Sequence, residues 1–273
     1  MRGITETVKH LIIINAIMFI GTLTIGQGEL FYRWFALYYP ENDLFYPWQI
    51  ITHMFMHGGV MHLFFNMFAL YMFGVAVEQV FGSRKFIFFY ISSGLGAVVL
   101  TYLVYYIQIG GYLMDISKLG LPSELINAVF NLDIISGNRF EGRLLYEQVE
   151  PLFASYNQEI SLVNGPVFDA FFNINVLSRG TMVGASGALM GVLVAFGMIY
   201  PESRLMLLFL PVPIKAKYFI PGIIILDIIS AVTGQSFFSP SNTAYVAHIG
   251  GALTGFIMMW YWKKNQFNNN RWN

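Results

Sequence analysis

The chain has 273 residues, 56% of them hydrophobic and only 11% charged, far below the roughly 25% charged content of soluble globular domains, so a membrane protein is expected. Its 15 Lys and Arg residues balance its 15 Asp and Glu residues, which leaves no basic field of the kind that gathers nucleic acid. Cysteine is absent, excluding disulfides, thiolate metal sites and a cysteine nucleophile; hydrolytic chemistry would fall to hydroxyl, carboxylate or imidazole groups, or to a metal that they hold.

A membrane-spanning helix needs about 20 mostly apolar residues. Six stretches qualify: Leu11–Gly28, Val60–Val77, Phe86–Ile107, Gly184–Tyr200, Tyr218–Thr233 and Ala244–Trp262. The first is followed by no convincing small-residue cleavage pattern and is read as a retained helix. With both termini cytoplasmic, the inner segments hold ten cations, from Arg2 and Lys9 to Lys264 and Arg271. Five lie outside: Arg33, Lys118, Arg139, Arg143 and Arg179. This is the bias expected of inner loops, and it predicts a single all-α membrane domain, residues 1–273, of six spanning helices.

Between the third and fourth stretches, about residues 110–180, lies a long extramembrane insertion rich in carboxylates such as Asp115, Glu124, Glu147 and Asp169. Leu144, Leu145, Val149 and Leu152 recur near helical spacing, and Asn131, Gly137, Asn138 and Pro151 punctuate the segment. Short amphipathic helices resting on the membrane face are expected. The polar Asn268–Asn270 tail is expected to be disordered.

Three of the five histidines, His53, His57 and His62, cluster before and within the second stretch. His62 and Asn66 are four residues apart, hence on one helical face, where both can donate N–H groups toward one point. That suits an oxyanion hole, and equally a hydrogen-bonded helix contact. His53 and His57 read as loop-stabilising. Two histidines four apart also raise zinc, but zinc proteases place a glutamate between them. Here Met54, Phe55 and Met56 fill the gap and no carboxylate lies in the cluster, so no metal and no cofactor is expected.

Gly184-Ala185-Ser186-Gly187 opens the fourth stretch. By itself the motif reads as a small-residue packing face. A serine at a helix start also sits beside backbone N–H groups without intrahelical acceptors, which can hold an oxyanion. Serine needs a base to act as a nucleophile. His248 is the candidate, with Gly251 and Gly255 one and two turns beyond it on the same face. Asp227 is the single carboxylate inside an apolar stretch. An aspartyl mechanism needs a facing pair, so Asp227 reads as a protonated, hydrogen-bonded group in the bundle or near the outer surface.

The elements His62-x-x-x-Asn66, Gly184-x-Ser186-Gly187 and Ala247-His248-x-x-Gly251-x-x-x-Gly255, in this order on the second, fourth and sixth helices, resemble those of bacterial rhomboid proteases. Gly74-Val75-Ala76-Val77-Glu78 is similar to a further family signature, whose glutamate fixes helix packing at the inner side. The resemblance implies a Ser186–His248 dyad with no carboxylate third member, an oxyanion hole from His62, Asn66 and the Ser186 N–H, and packing roles for Gly184, Gly187, Gly251, Gly255 and Glu78. It further implies cleavage of transmembrane protein substrates within the lipid bilayer, near its outer face, by a multi-pass protein of a bacterial inner (plasma) membrane. Two departures stand out: the family commonly has Trp-Arg before the second helix, and here Trp48 is followed by Gln49, which puts loop anchoring by a cation in doubt; and the outer segment between the third and fourth helices is unusually long. Two other readings compete. A non-enzymatic relative that binds membrane clients would be expected to have lost Ser186 or His248, and a transporter would be expected to show an inverted repeat.

Overall fold

The computed structural model describes residues 3–137, 139–207, 210–235 and 242–265; Arg2, Asn138, Arg271 and the Asn268–Asn270 tail lie outside them. In chain order the helices are α1 (Glu6–Thr24), α2 (Glu29–Phe35), α3 (Val60–Phe81), α4 (Ser83–Ser117), α5 (Ser123–Val129), α6 (Gly142–Ser155), α7 (Gly165–Arg179), α8 (Ser186–Ile199), α9 (Ala216–Thr233) and α10 (Asn242–Asn265). Two short antiparallel hairpins, β1 (Ile135–Ser136) with β2 (Arg139–Phe140) and β3 (Arg204–Leu207) with β4 (Leu210–Lys215), complete an otherwise all-α fold.

Each of the six apolar stretches is carried mainly by one helix, the first running past α1 into a separate 3-10 turn at Gly26–Gly28, and α1, α3, α4 and α9 are long and apolar enough to cross a membrane. Helix α8 is apolar but has only 14 residues, and α10 has 24. The outer faces agree with a lipid solvent: Ile17, Leu23, Phe64, Leu103, Val232 and Ile257 are all exposed, an apolar surface far beyond what a water-soluble monomer shows.

Helix limits differ from the sequence reading where tertiary contacts intervene. Helix α1 starts at Glu6, five residues before the apolar run, because the Glu78 carboxylate accepts the N–H groups of Thr7 and Val8 at 3.0 Å each. These are donors that a helix start leaves unpaired, and an anion there is favoured by the helix dipole. Thr5 Oγ1 and Ser83 Oγ donate to the same carboxylate, at 2.5 and 2.6 Å. One side chain thus ties α3 to the starts of α1 and α4. Helix α3 contains a π turn over Leu70–Gly74, and at Gly74 a Cβ would stand 3.1 Å from Val8 Cγ2, so the missing side chain admits α1.

The chain forms two compact units. The first comprises α1 to α3, the N-terminal half of α4, and α8 to α10. Its core gathers Val8, Leu70, Phe86, Phe89, Tyr90, Val192 and their neighbours. The second comprises residues 37–49, the C-terminal half of α4, and α5 to α7, around its own core. Helix α4, at 35 residues and about 1.5 Å per residue, is about 52 Å long, well beyond the roughly 30 Å of a hydrocarbon core. Its last turns bury Ile109 and Ile116 among Leu125, Val129, Leu145 and Val149, which carries the helix past the apolar stretch.

That core also corrects the expectation for the insertion. The Leu145, Val149 and Phe153 stripe of α6 is fully buried inside the second unit and does not form a membrane-resting face. Pro151, read as a break, sits inside α6. It stays on an exposed side of the helix together with Glu147, where water can satisfy the carbonyl that proline leaves without a donor.

Candidate active site

Helices α8 and α10 meet backbone to backbone. A Cβ on Gly251 would overlap the Gly187 carbonyl oxygen, and one on Gly255 would stand 2.6 Å from Gly191 Cα. The pairs advance together, so the two helices run parallel, and one turn before Gly251 the register reaches His248 at the Ser186 end of α8. On its other side α10 abuts α4, since a Cβ on Gly250 would lie 2.7 Å from the Gly96 carbonyl oxygen and 2.9 Å from Ala97 Cα. The small-residue pattern predicts the first contact. The second was not foreseen, although Gly94-x-Gly96-Ala97 offered the same small-residue signal.

Ser186 is the first residue of α8, and the first intrahelical bond runs from Leu189 N–H to the Ala185 carbonyl. The Ser186 N–H therefore has no acceptor within its helix. Just before it, Gly184 has φ +119°, a conformation side chains rarely adopt. Its N–H donates to the His53 carbonyl at 2.9 Å, fastening the turn to the segment that leads into α3. His53 thus holds this turn through its main-chain carbonyl.

A Cβ on Gly184 would stand 2.8 Å from His62 Nε2 and 3.8 Å from Ser186 Oγ, so imidazole and hydroxyl flank one small space. The Gly58 N–H donates to His62 Nδ1 at 3.4 Å. An accepting Nδ1 puts the proton of neutral His62 on Nε2, the nitrogen that faces Gly184. Asn66 donates from Nδ2 to the His62 carbonyl at 2.8 Å, which holds its amide on the His62 side of α3 with its second N–H still available. His62 also lies within electrostatic range of His248. No hydrogen bond joins Ser186 to His248 in this structure; catalytic hydrogen bonds commonly close only when substrate arrives.

His57 packs edge-on against His62, ring centroids 5.0 Å apart. It is fully buried and neither ring nitrogen has a hydrogen-bond partner among the described residues. Burial, with help from the neighbouring His62, outweighs the opposing pull of the nearby Phe55 backbone, whose geometry falls short of a hydrogen bond, and holds its pKa down at about 3, so it is neutral at physiological pH. Its direct support of the His62 ring was not visible in spacing alone.

One carboxylate enters the site from elsewhere in sequence. Asp227, on α9 and 2% exposed, places Oδ2 3.1 Å from His248 Nδ1. The resemblance implies no such acid, and the separation of 21 positions between the two gives no periodic signal.

The first loop is also anchored differently from the family habit. Gln49 is fully buried; its Oε1 accepts the Tyr46 N–H at 3.1 Å and its Nε2 donates to the Leu44 carbonyl at 2.9 Å. A neutral amide thus anchors this loop, while Trp48 stacks on Tyr46 at 4.7 Å.

The family model described as Rhomboid domain matches residues 45–114 and 149–265. The chain belongs to the rhomboid family. Among its relatives are RHOMBOID-like protein 6, mitochondrial, of Arabidopsis thaliana, 41% identical over 54 residues, 20% of this chain and 18% of that one. Rhomboid protease GluP of Bacillus subtilis (strain 168) is 34% identical over 55 residues, 20% of this chain and 11% of that one. Presenilin-associated rhomboid-like protein, mitochondrial, of Homo sapiens is 40% identical over 83 residues, 30% of this chain and 20% of that one. The matched segments thus span a fifth or less of these relatives. They come from plant and animal mitochondria as well as from a bacterium, and single out no bacterial subtype. Membership of the rhomboid family makes this a multi-pass integral membrane protein of a family of intramembrane proteases.

Proposed function

We propose that this chain is an intramembrane serine endopeptidase that cleaves transmembrane segments of membrane proteins near the outer face of the bilayer. Ser186 is the nucleophile and His248 its general base. The six apolar helices cross the membrane with both termini cytoplasmic, and the unit containing α5 to α7 lies outside. The observation that carries the reading is the parallel glycine contact of α8 and α10, which supports one shared level for Ser186 and His248 beside His62 Nε2.

In this reaction Ser186 Oγ attacks the scissile carbonyl carbon while His248 Nε2 takes the hydroxyl proton. The oxyanion is held by the Ser186 N–H, the His62 Nε2–H and the free Asn66 N–H. His248 returns the proton to the leaving amine, and an ester to Ser186 is left. Water then repeats the attack, with His248 again as base, and frees the acid. The opposite roles of the two imidazoles fit their partners: His62 receives a donor on Nδ1 and is a donor at Nε2, whereas His248 has Asp227 Oδ2 beside Nδ1, and in the proposed tautomer, with the aspartate as carboxylate, Nδ1 donates to it and Nε2 is the base.

The test is cleavage of a panel of single-span proteins by the reconstituted chain and its Ser186→Ala form. Cleavage by the parent and none above background by the variant is expected; equal cleavage by both overturns the assignment.

A further inference from the structure

Asp227 is the one described carboxylate in the middle of an apolar helix of the first unit that neither caps a helix start nor meets a lysine. Glu78 caps α1, and Glu202 at the other end of α9 lies between Lys215 and Lys217. An ionisable side chain inside a membrane helix is costly and calls for a partner. A helix contact does not require one, since α8 and α10 pack through glycine alone. What Asp227 meets is the imidazole that the proposed reaction uses as its base, through Nδ1, which leaves Nε2 for the nucleophile.

We infer that Asp227 is a positioning residue that extends the Ser186–His248 pair to a hydrogen-bonded triad. The inference rests on the proposed function and extends it, because the family pattern places no acid at this point. A carboxylate on Nδ1 fixes the proton there, so the lone pair of Nε2 is free to face Ser186. It also restrains rotation of the ring, whose side chain is 17% exposed against 3% for the aspartate. When His248 accepts the serine proton the ring becomes a cation, and the adjacent anion stabilises that charge where the surrounding apolar groups cannot. No proton need move to Asp227. In a site of low polarity this charge compensation is worth more than it is in water, and Asp227 supplies it from a helix that offers the site no other ionisable group near its outer half.

The experiment compares the reconstituted parent, Ser186→Ala and Asp227→Asn on one single-span substrate, with nitrogen NMR on histidine-labelled parent protein. Asparagine keeps the shape and removes the charge. If the inference holds, Asp227→Asn lowers kcat by roughly 10²–10⁴-fold with KM nearly unchanged, and His248 Nδ1 in the parent shows a directly bonded, downfield proton. A merely structural role would change folding yield or KM and leave kcat of the folded fraction intact; that result, or an unprotonated Nδ1, overturns the inference. The NMR observation uses the unaltered protein, so it decides the matter even if Asp227→Asn fails to fold. Undiminished cleavage by Ser186→Ala would instead overturn the proposed function, whereas an inactive Ser186→Ala beside a fully active Asp227→Asn would overturn the positioning role alone.

Discussion

Gly251 has no room for a side chain, because a Cβ there would collide with the carbonyl oxygen of Gly187. The obstruction is backbone, which cannot rotate aside, so Gly251→Ala must push α10 away from α8. Overpacking of this kind costs about 1–3 kcal/mol. Displacing a catalytic group by about 1 Å can lower a rate about 10²-fold. The expected outcome is a folded, less heat-resistant protein whose kcat falls by about that factor; thermal unfolding in detergent and substrate cleavage measure the two effects. Gly222, where a Cβ meets nothing within 4 Å, is the control: Gly222→Ala should leave kcat unaltered.

The oxyanion donors give a graded prediction. Removing one donor from such a hole costs about 10²–10³ in turnover. Asn66→Ala should therefore cripple cleavage without abolishing it, with a similar loss for His62→Ala. Because His62 Nε2 lies closer to the Gly184 turn than any other side-chain donor recorded there, a small substituent at Gly184 should mimic the loss: Gly184→Ala both strains φ +119° and intrudes on the His62 ring. Initial rates on one substrate at saturating concentration separate these variants from inactive Ser186→Ala.

These contacts show where the sequence was readable. The apolar stretches and the Gly187, Gly251 and Gly255 contacts follow from periodicity and residue type, because a small residue at helical spacing has few other uses in a membrane, whereas the helix tie at Glu78 is implied by the family resemblance alone. The start of α1 at Glu6 was not readable, since it depends on a carboxylate 71 residues away from Thr7. The Asp227–His248 contact was hidden for the same reason: how α9 turns against α10 is set by packing along their whole lengths. Leu145 and Val149 showed the correct helical period, but a period says only that a face is covered, and their cover is the core of their own unit.

Glu78 should matter for stability and not for chemistry. Its carboxylate accepts four hydrogen bonds from α1 and the start of α4, and bonds to a charged acceptor are worth about 1.5–3 kcal/mol each before the ends relax toward water. Glu78→Ala should lower unfolding free energy by roughly 3 kcal/mol, and Glu78→Gln by less, since the amide oxygen keeps part of the set. Denaturant unfolding measures the loss, and well below the lowered transition the cleavage rate per folded molecule should match the parent.

His57 gives the protein a defined weakness toward acid. Its folded pKa of about 3 lies below the 6.5 of the free side chain, so between these values the unfolded chain binds a proton that the folded chain refuses. Stability is then complete above about pH 6.5 and is lost as pH falls toward 3, with a slope that approaches about 1.4 kcal/mol per pH unit for one proton. His57→Phe keeps a ring against His62, removes two buried nitrogens without partners and abolishes the titration. Unfolding measured from about pH 4 to pH 7 should show a shallower acid limb for His57→Phe than for the parent; identical limbs would mean that His57 is protonated, and therefore hydrated, in the folded state.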